Sequence, residues 1–135
     1  MMMRLQIFLL QGQEYIVWDL AEGPLPGIGG ISLLLDRRRG IGGDQLLLVQ
    51  EGMALRAFTG DGRETLVQAA ACFVAACWCG RRGRETEAAA LLHRLDVAGR
   101  RQLGVSSLQR AELHLTDCFC RQLMDADEVR LAAVI

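Results

Sequence analysis

The apolar positions along the chain change period several times, and these changes divide it into elements. Arg4 to Leu10 and Gln13 to Leu20 are rich in β-branched and aromatic residues and are separated by Gln11-Gly12, the pattern of a hairpin. Ala21 to Gly30 carries both prolines and several glycines and reads as a loop. Ile31 to Arg38 is apolar and then basic, which predicts a short helix. Arginines favour its C-terminal end, and Gly40 is its stop. Gln45 to Gln50 and Ala54 to Thr59 predict two strands joined at Glu51-Gly52, with a further turn at Gly60-Asp61-Gly62.

Val67 to Cys79, VQAAACFVAACWC, is almost wholly apolar and alanine-rich, which argues for a helix. Having no polar face, it should be buried on all sides. After a polar connection from Arg81 to Glu87, Ala88 to Leu95 fits a helix or the start of a strand. Leu95 to Ala98, Gln102 to Ser107 and Ala111 to Thr116 then read as successive antiparallel strands, and Asp127 to Ile135 as a last one. The expected fold is α+β: one domain over residues 1–135, a mostly antiparallel sheet curled into a partial or closed barrel around one central apolar helix.

Composition narrows the chemistry. With 51% hydrophobic and 23% charged residues the chain is globular. A net charge of −1 provides no field to attract nucleic acid or an anionic membrane, so neither is expected as a partner. Every basic residue is arginine, which excludes a Schiff-base lysine and a phosphate-loop lysine. Arg37 to Arg39, Arg81, Arg82 and Arg84, and Arg100 with Arg101 form clusters that read as solvated loops and helix ends. No apolar run reaches the roughly 18 residues of a membrane span. The opening MMMRLQIFLLQGQEY lacks a small-residue cleavage site and reads as a strand. Five cysteines, an odd number, fit reduced thiols and a cytoplasmic location.

The motifs resemble those of a known family. Gln11 to Asp19, QGQEYIVWD, is similar to the LGNDFVVVD motif of diaminopimelate epimerase. Asp36 to Gln45, DRRRGIGGDQ, resembles DRHxGIGADQ, and Arg56 to Glu64, RAFTGDGRE, resembles RIFNADGSE; the apolar helix follows at the matching distance. The resemblance spans roughly residues 3 to 80 and is to the N-terminal half of an enzyme about twice this length. That enzyme is a cofactor-independent amino-acid epimerase with two pseudo-symmetric halves. Each half supplies one cysteine, so that two bases face one carbon from opposite sides. The resemblance implies a substrate-binding end formed by Gln13, Gln45, Thr59, Gln68, Ala69 and Ala70, with no cofactor and no metal.

The departures from the family fall on the catalytic motif. Counted without gaps from Phe58, the cysteine of CGNGxR falls on Gln68, and the GNG after it becomes Ala69, Ala70 and Ala71. A two-residue gap instead sets Cys72 on the motif's later, structural cysteine. Gln is no base at neutral pH, and alanine removes the close backbone approach that glycine allows. In the related phenazine-biosynthesis isomerase-like branch, with its FTP…GHP motif, only Phe58-Thr59 has a counterpart here, and Glu64 is the nearby carboxylate. Cys72 and Glu64 are therefore the candidate catalytic groups if any chemistry remains.

Other constellations have plain readings. Cys77-x-Cys79 and Cys118-x-Cys120 suggest a four-thiolate zinc site, but i and i+2 diverge on a helix, and buried thiols are the simpler reading. His93 lacks ligand partners, and His114 with Glu112 reads as a solvent-facing pair. The Asp125 to Glu128 run reads as a solvated turn. Gly40-x-Gly42-Gly43 follows a helix and precedes a strand, the reverse of the order a phosphate loop requires.

Three functions follow: a catalytically silent module that binds a polar, amino-acid-like ligand; a racemase or isomerase with relocated groups; or a scaffold subunit of another protein. A half-fold exposes the face its other half covered, so a homodimer imitating the two-domain enzyme is expected.

Overall fold

The computed structural model describes residues 3–50, 55–83 and 109–134, the last helix beyond residue 126 as backbone only. The predicted segments between Ala88 and Ser107 lie outside the described residues. The elements run β1 (Met3–Leu10), β2 (Gln13–Asp19), α1 (Ile28–Leu35), β3 (Gln45–Val49), β4 (Leu55–Phe58), β5 (Glu64–Thr65), α2 (Ala69–Arg81), β6 (Gln109–Leu115) and α3 (Asp117–Val134). The chain is α+β, as its pattern predicts.

The sheet has six strands in the order β5-β4-β3-β2-β1-β6 and does not close into a barrel. It is mixed: β2 and β3 pair in parallel, Tyr15 beside Gln45 and Val17 beside Leu47, and every other pairing is antiparallel. The parallel pair follows from the connection, because α1 crosses over between two adjacent strands. Tyr15 to Asp19 and Leu46 to Val49 are buried on both faces of the sheet. Such doubly buried central strands read as unbroken apolar runs.

Each face carries its own core. On one, Phe8, Leu10, Tyr15, Val17, Leu47, Val49 and Ala57 pack with α2 side chains from Ala71 to Cys79. On the other, Leu5, Ile16, Trp18, Leu46, Leu48 and Phe58 pack with Ile31, Leu34 and Leu35 of α1 and Leu123 of α3. The apolar helix therefore lies on one face of an open sheet instead of at the centre of a barrel. Its two ends, Ala69 and Gly80, are exposed.

Two predicted elements are corrected. The helix expected over Ile31 to Arg38 runs from Ile28 to Leu35, and the arginines lie beyond it. Asp36 ends it: one carboxylate oxygen accepts the backbone N–H groups of Arg38 and Arg39 at 2.8 and 3.0 Å and turns the chain. These bonds, Arg39's first, hold the Asp36 carboxyl below its ordinary value. The strand expected from Asp127, and the solvated turn expected at Asp125, are both part of α3. That helix starts at Thr116, whose Oγ1 accepts the Phe119 N–H at 3.2 Å, and once capped it continues through helix-favouring Leu, Met, Ala and Glu.

Glycine is required where α1 and α3 meet. A Cβ on Gly30 would overlap the Leu123 carbonyl of α3 and the Pro26 side chain. Gly30→Ala is expected to destabilise the protein by about 1–3 kcal/mol, the cost of overpacking. Gly60→Ala, where a Cβ meets nothing within 4 Å, is expected to leave the thermal midpoint unchanged or slightly raised. Equal midpoints for the two variants would show that the α1–α3 contact is not held at this glycine.

Candidate functional site

A clamp between β2 and β3 sets the geometry of one end of the sheet. The Glu14 N–H donates to Asp44 Oδ2 at 2.7 Å and the Asp44 N–H donates to the Glu14 carbonyl at 2.8 Å. Arg37 bridges the two side chains, 2.9 Å from Glu14 and 3.3 Å from Asp44. The Gly40 to Gly43 turn leads into this clamp. The N–H groups of Ile41 and Gly42 donate to the Leu34 carbonyl, and that of Gly43 donates to Leu35. Those amides thus finish α1, and the loop offers no nest for phosphate.

The clamp fixes where β3 begins, and so where Gln45 stands. Gln45 pairs with Tyr15, and Leu46 with Phe58, which brings Thr59 level with Gln45 on the next strand. Alternation puts Gln13, Tyr15, Gln45 and Thr59 on the α2 face. They form one row across β2, β3 and the end of β4. The Tyr15 hydroxyl donates to Gln13 Oε1 at 3.3 Å. Burial, and then the charge of Asp44, raise the Tyr15 pKa, so this hydroxyl remains a donor at neutral pH. Gln45 Oε1 is buried and accepts no hydrogen bond among the described residues. A buried acceptor left unpaired costs about 1–3 kcal/mol. Gln6 Oε1 shares this condition, but Gln6 is enclosed in mid-sheet at 5% exposure, whereas Gln45 is only half-buried at a strand end.

The first turn of α2 lies on the same face of the sheet as the row, with Ala70 and Ala71 against the core there. At the other end of the helix, Arg82 stacks on Trp78 and pairs with Glu22, just beyond the C-terminus of β2. Gln68 makes no side-chain cap, and the first turn holds no acidic residue. Its N–H groups thus present an uncompensated positive dipole end.

Of the two candidate catalytic groups, neither belongs to this row. Cys72 is 6% exposed within the α2-side core. Glu64 stands opposite Phe58, and therefore on the other face of the sheet. It is bound by Arg56 at 2.7 Å, and this bond holds its carboxyl below the ordinary value, making it a poorer base. The two C-x-C pairs are also separated by the sheet: Cys77 and Cys79 pack with the α2-side core, while Cys120 packs against the other. No cluster of three potential metal ligands exists among the described residues. His114 and Glu112 are exposed, as their alternation predicts. Among the described residues no helix is long and apolar enough to cross a membrane.

Sequence reasoning names Gln13, Gln45 and Thr59 but not Tyr15, nor the state of Gln45, because an orphaned acceptor depends on what surrounds it. The Tyr15–Gln13 contact is equally silent in the sequence. No protein-family model matches the chain, and no curated protein matches it. The functional reading therefore rests on the row and on the motif resemblance.

Thr59 is tied into the turn that follows β4. Its hydroxyl donates to Asp61 Oδ1, which also accepts the Arg63 N–H at 3.1 Å. These bonds, the Thr59 hydroxyl first, lower the Asp61 pKa from its ordinary 3.8. A carboxyl lowered on folding contributes stability that is present above the unfolded value and is lost as pH falls through the folded one. Asp61→Asn keeps an acceptor oxygen but removes the charge. Its stability is expected to fall less steeply than wild type on acidification below about pH 4, read from urea midpoints at successive pH values. Superimposable acid profiles would rule out this linkage.

Proposed function

We infer that the chain is a diaminopimelate-epimerase-like half that binds a polar, amino-acid-like molecule without racemising it. The observation that carries this reading is the buried, unpartnered Oε1 of Gln45 in a row with Gln13, Tyr15 and Thr59. An ammonium or amide N–H supplied by a ligand would satisfy that oxygen. The uncapped first turn of α2 suits a carboxylate, since a helix N-terminus is positive and rich in free N–H groups. The motifs that carry the family resemblance, QGQEYIVWD, DRRRGIGGDQ and RAFTGDGRE, supply the row itself.

The same geometry favours binding over catalysis. Racemisation needs a base on each side of an α-carbon. The row offers two amides, a phenol and an alcohol; Cys72 is in the core, and Glu64 is neutralised by Arg56 across the sheet. Family enzymes join two halves in one chain. Here a second copy of the chain is the complementary half, and the assembly is a homodimer in the cytoplasm.

Thermal unfolding with millimolar diaminopimelate stereoisomers and other amino acids tests the reading. Ligand at 100 times its Kd should stabilise by about 2.7 kcal/mol, a shift of several degrees. Gln45→Leu is expected to abolish the shift while the apo protein melts no lower than wild type, because the orphaned acceptor is gone. No α-proton exchange in heavy water is expected for any ligand that binds. A wild-type melting point unmoved across the panel would sink the binding reading, and exchange would sink its catalytic silence.

A further inference from the structure

On the face of the sheet opposite the row, toward the other end of β2, a cavity of about 380 Å³ lies between three parts of the chain. Met3 and Trp18 come from β1 and β2, Gly23 from the loop that leaves β2, and Cys120 and Met124 from α3. The volume falls within the roughly 300–1,000 Å³ of small-molecule sites. Its floor is apolar, since Met3 and Trp18 belong to the core on this face. The one polar atom of the indole is already used: Trp18 Nε1 donates to the Gly23 carbonyl at 3.1 Å. That bond also holds the loop against the end of β2, where it forms one wall of the cavity.

The lining selects the ligand. Three sulfur atoms, those of Met3, Cys120 and Met124, border the space beside the Trp18 indole. Such sulfur is polarisable, and the flexible thioethers adapt to a guest and make favourable contacts with aromatic rings. Burial, and then the charge of Asp117, raise the Cys120 pKa, so this thiol stays protonated at neutral pH and adds to the apolar wall. Charge enters at the rim. Glu22 is held there by Arg4 and Arg82, each at 3.5 Å. Arg121 is exposed on α3 and forms no ion pair among the described residues. With Asp117 the rim sets three guanidiniums, two of them committed to Glu22, against two carboxylates. Arg121 is thus the cation left to meet a ligand, and its planar fork matches a carboxylate or a comparable oxyanion.

We propose that this cavity is a second ligand site, taking a flat aromatic molecule with one anionic group, the ring between Trp18 and the sulfur-bearing side chains and the anion at Arg121. It does not rest on the row, which lies on the other face of the sheet, so either site can be lost without the other. Gly23 is the position at which to close it. Among the described residues a Cβ there meets only the Met3 side chain, at 3.5 and 3.8 Å, which is ordinary contact. A larger residue at this position therefore fits the backbone and occupies the cavity.

Fluorescence titration with anilinonaphthalene sulfonate and with its uncharged parent, N-phenylnaphthylamine, is the test, since the two differ in the sulfonate alone. Wild type is expected to bind one molecule of either probe per chain, the sulfonate about two- to fivefold tighter, the scale of an exposed ion pair. Arg121→Gln is expected to remove that difference and leave the uncharged probe unmoved. Gly23→Leu is expected to abolish binding of both, with circular dichroism checking the fold and the thermal midpoint no lower than wild type. Without any substitution, bound probe is expected to slow alkylation of Cys120, which lines the cavity, and not of Cys118, which is exposed outside it, read by peptide mass spectrometry. Gln45→Leu is expected to leave the binding of both probes unchanged. A wild type that binds neither probe would overturn the site, as would binding that survives Gly23→Leu or leaves Cys120 as reactive as before. Equal wild-type affinities for the two probes would overturn the anionic ligand.

Discussion

The structure depends on the parallel pairing of β2 with β3. Both strands are buried on both faces, so the pair can exist in water only if each face is covered. The covers are helices: α2 on one side, α1 with α3 on the other. The parallel pairing in turn demands a crossover, and the chain between Leu20 and Asp44 provides it as α1, already in place to cover one face. Pairing, crossover and cover are thus one solution to one constraint. Each Leu, Val, Ile or Phe taken out of water contributes about 1.5–3 kcal/mol, and the double burial of the central strands is what concentrates so many of them in a small chain.

Register follows from the polar end of that pair. The two bonds between Glu14 and Asp44, one to the Glu14 carbonyl and one to the Asp44 carboxylate, and the Arg37 bridge fix where the strands meet. A slip of one residue would send Leu47 and Val49 to the face now filled by Leu46 and Leu48 and move Gln45 away from Tyr15. The arginine cluster at 37–39 thereby acquires distinct roles: Arg37 holds register, Arg39 ties back to Asp36, and both belong to a turn and not to a helix end. Being exposed, the ion pairs themselves add little to stability. Their contribution is to specify one pairing over its neighbours.

How much of this was legible in the sequence varies by element. The first hairpin, β3, β4 and the apolar helix stand within a few residues of where periodicity puts them, because each is long and strongly patterned. The start of α1 was hidden by Ile28-Gly29-Gly30, which reads as loop because glycine disfavours helix. Gly30 is there because the Leu123 carbonyl of α3 leaves no room for a Cβ, a reason visible only once two distant segments pack. The end of the chain reads as a strand only if taken from Asp127; the Thr116 cap shows that the helix has already begun. Openness of the sheet was not legible at all. An apolar helix requires cover, but its composition does not say whether a curled sheet or further chain provides it. In the site, motif resemblance supplied the residue names, while the faces of Glu64 and Cys72 became evident only from strand register and core packing.

The residue at position 45 illustrates how a fold can carry a group it does not need. Leucine there would remove a buried acceptor and add apolar contact beside Tyr15, so folding alone favours leucine. Asp44 and the strand pairing hold the backbone irrespective of the side chain, so Gln45 does nothing for register either. Its amide oxygen lies where β3 begins, beside a phenol that already donates to Gln13 and on the face that α2 covers. Among the described residues nothing completes this oxygen's hydrogen bonding, so position 45 carries a cost in stability that leucine would not.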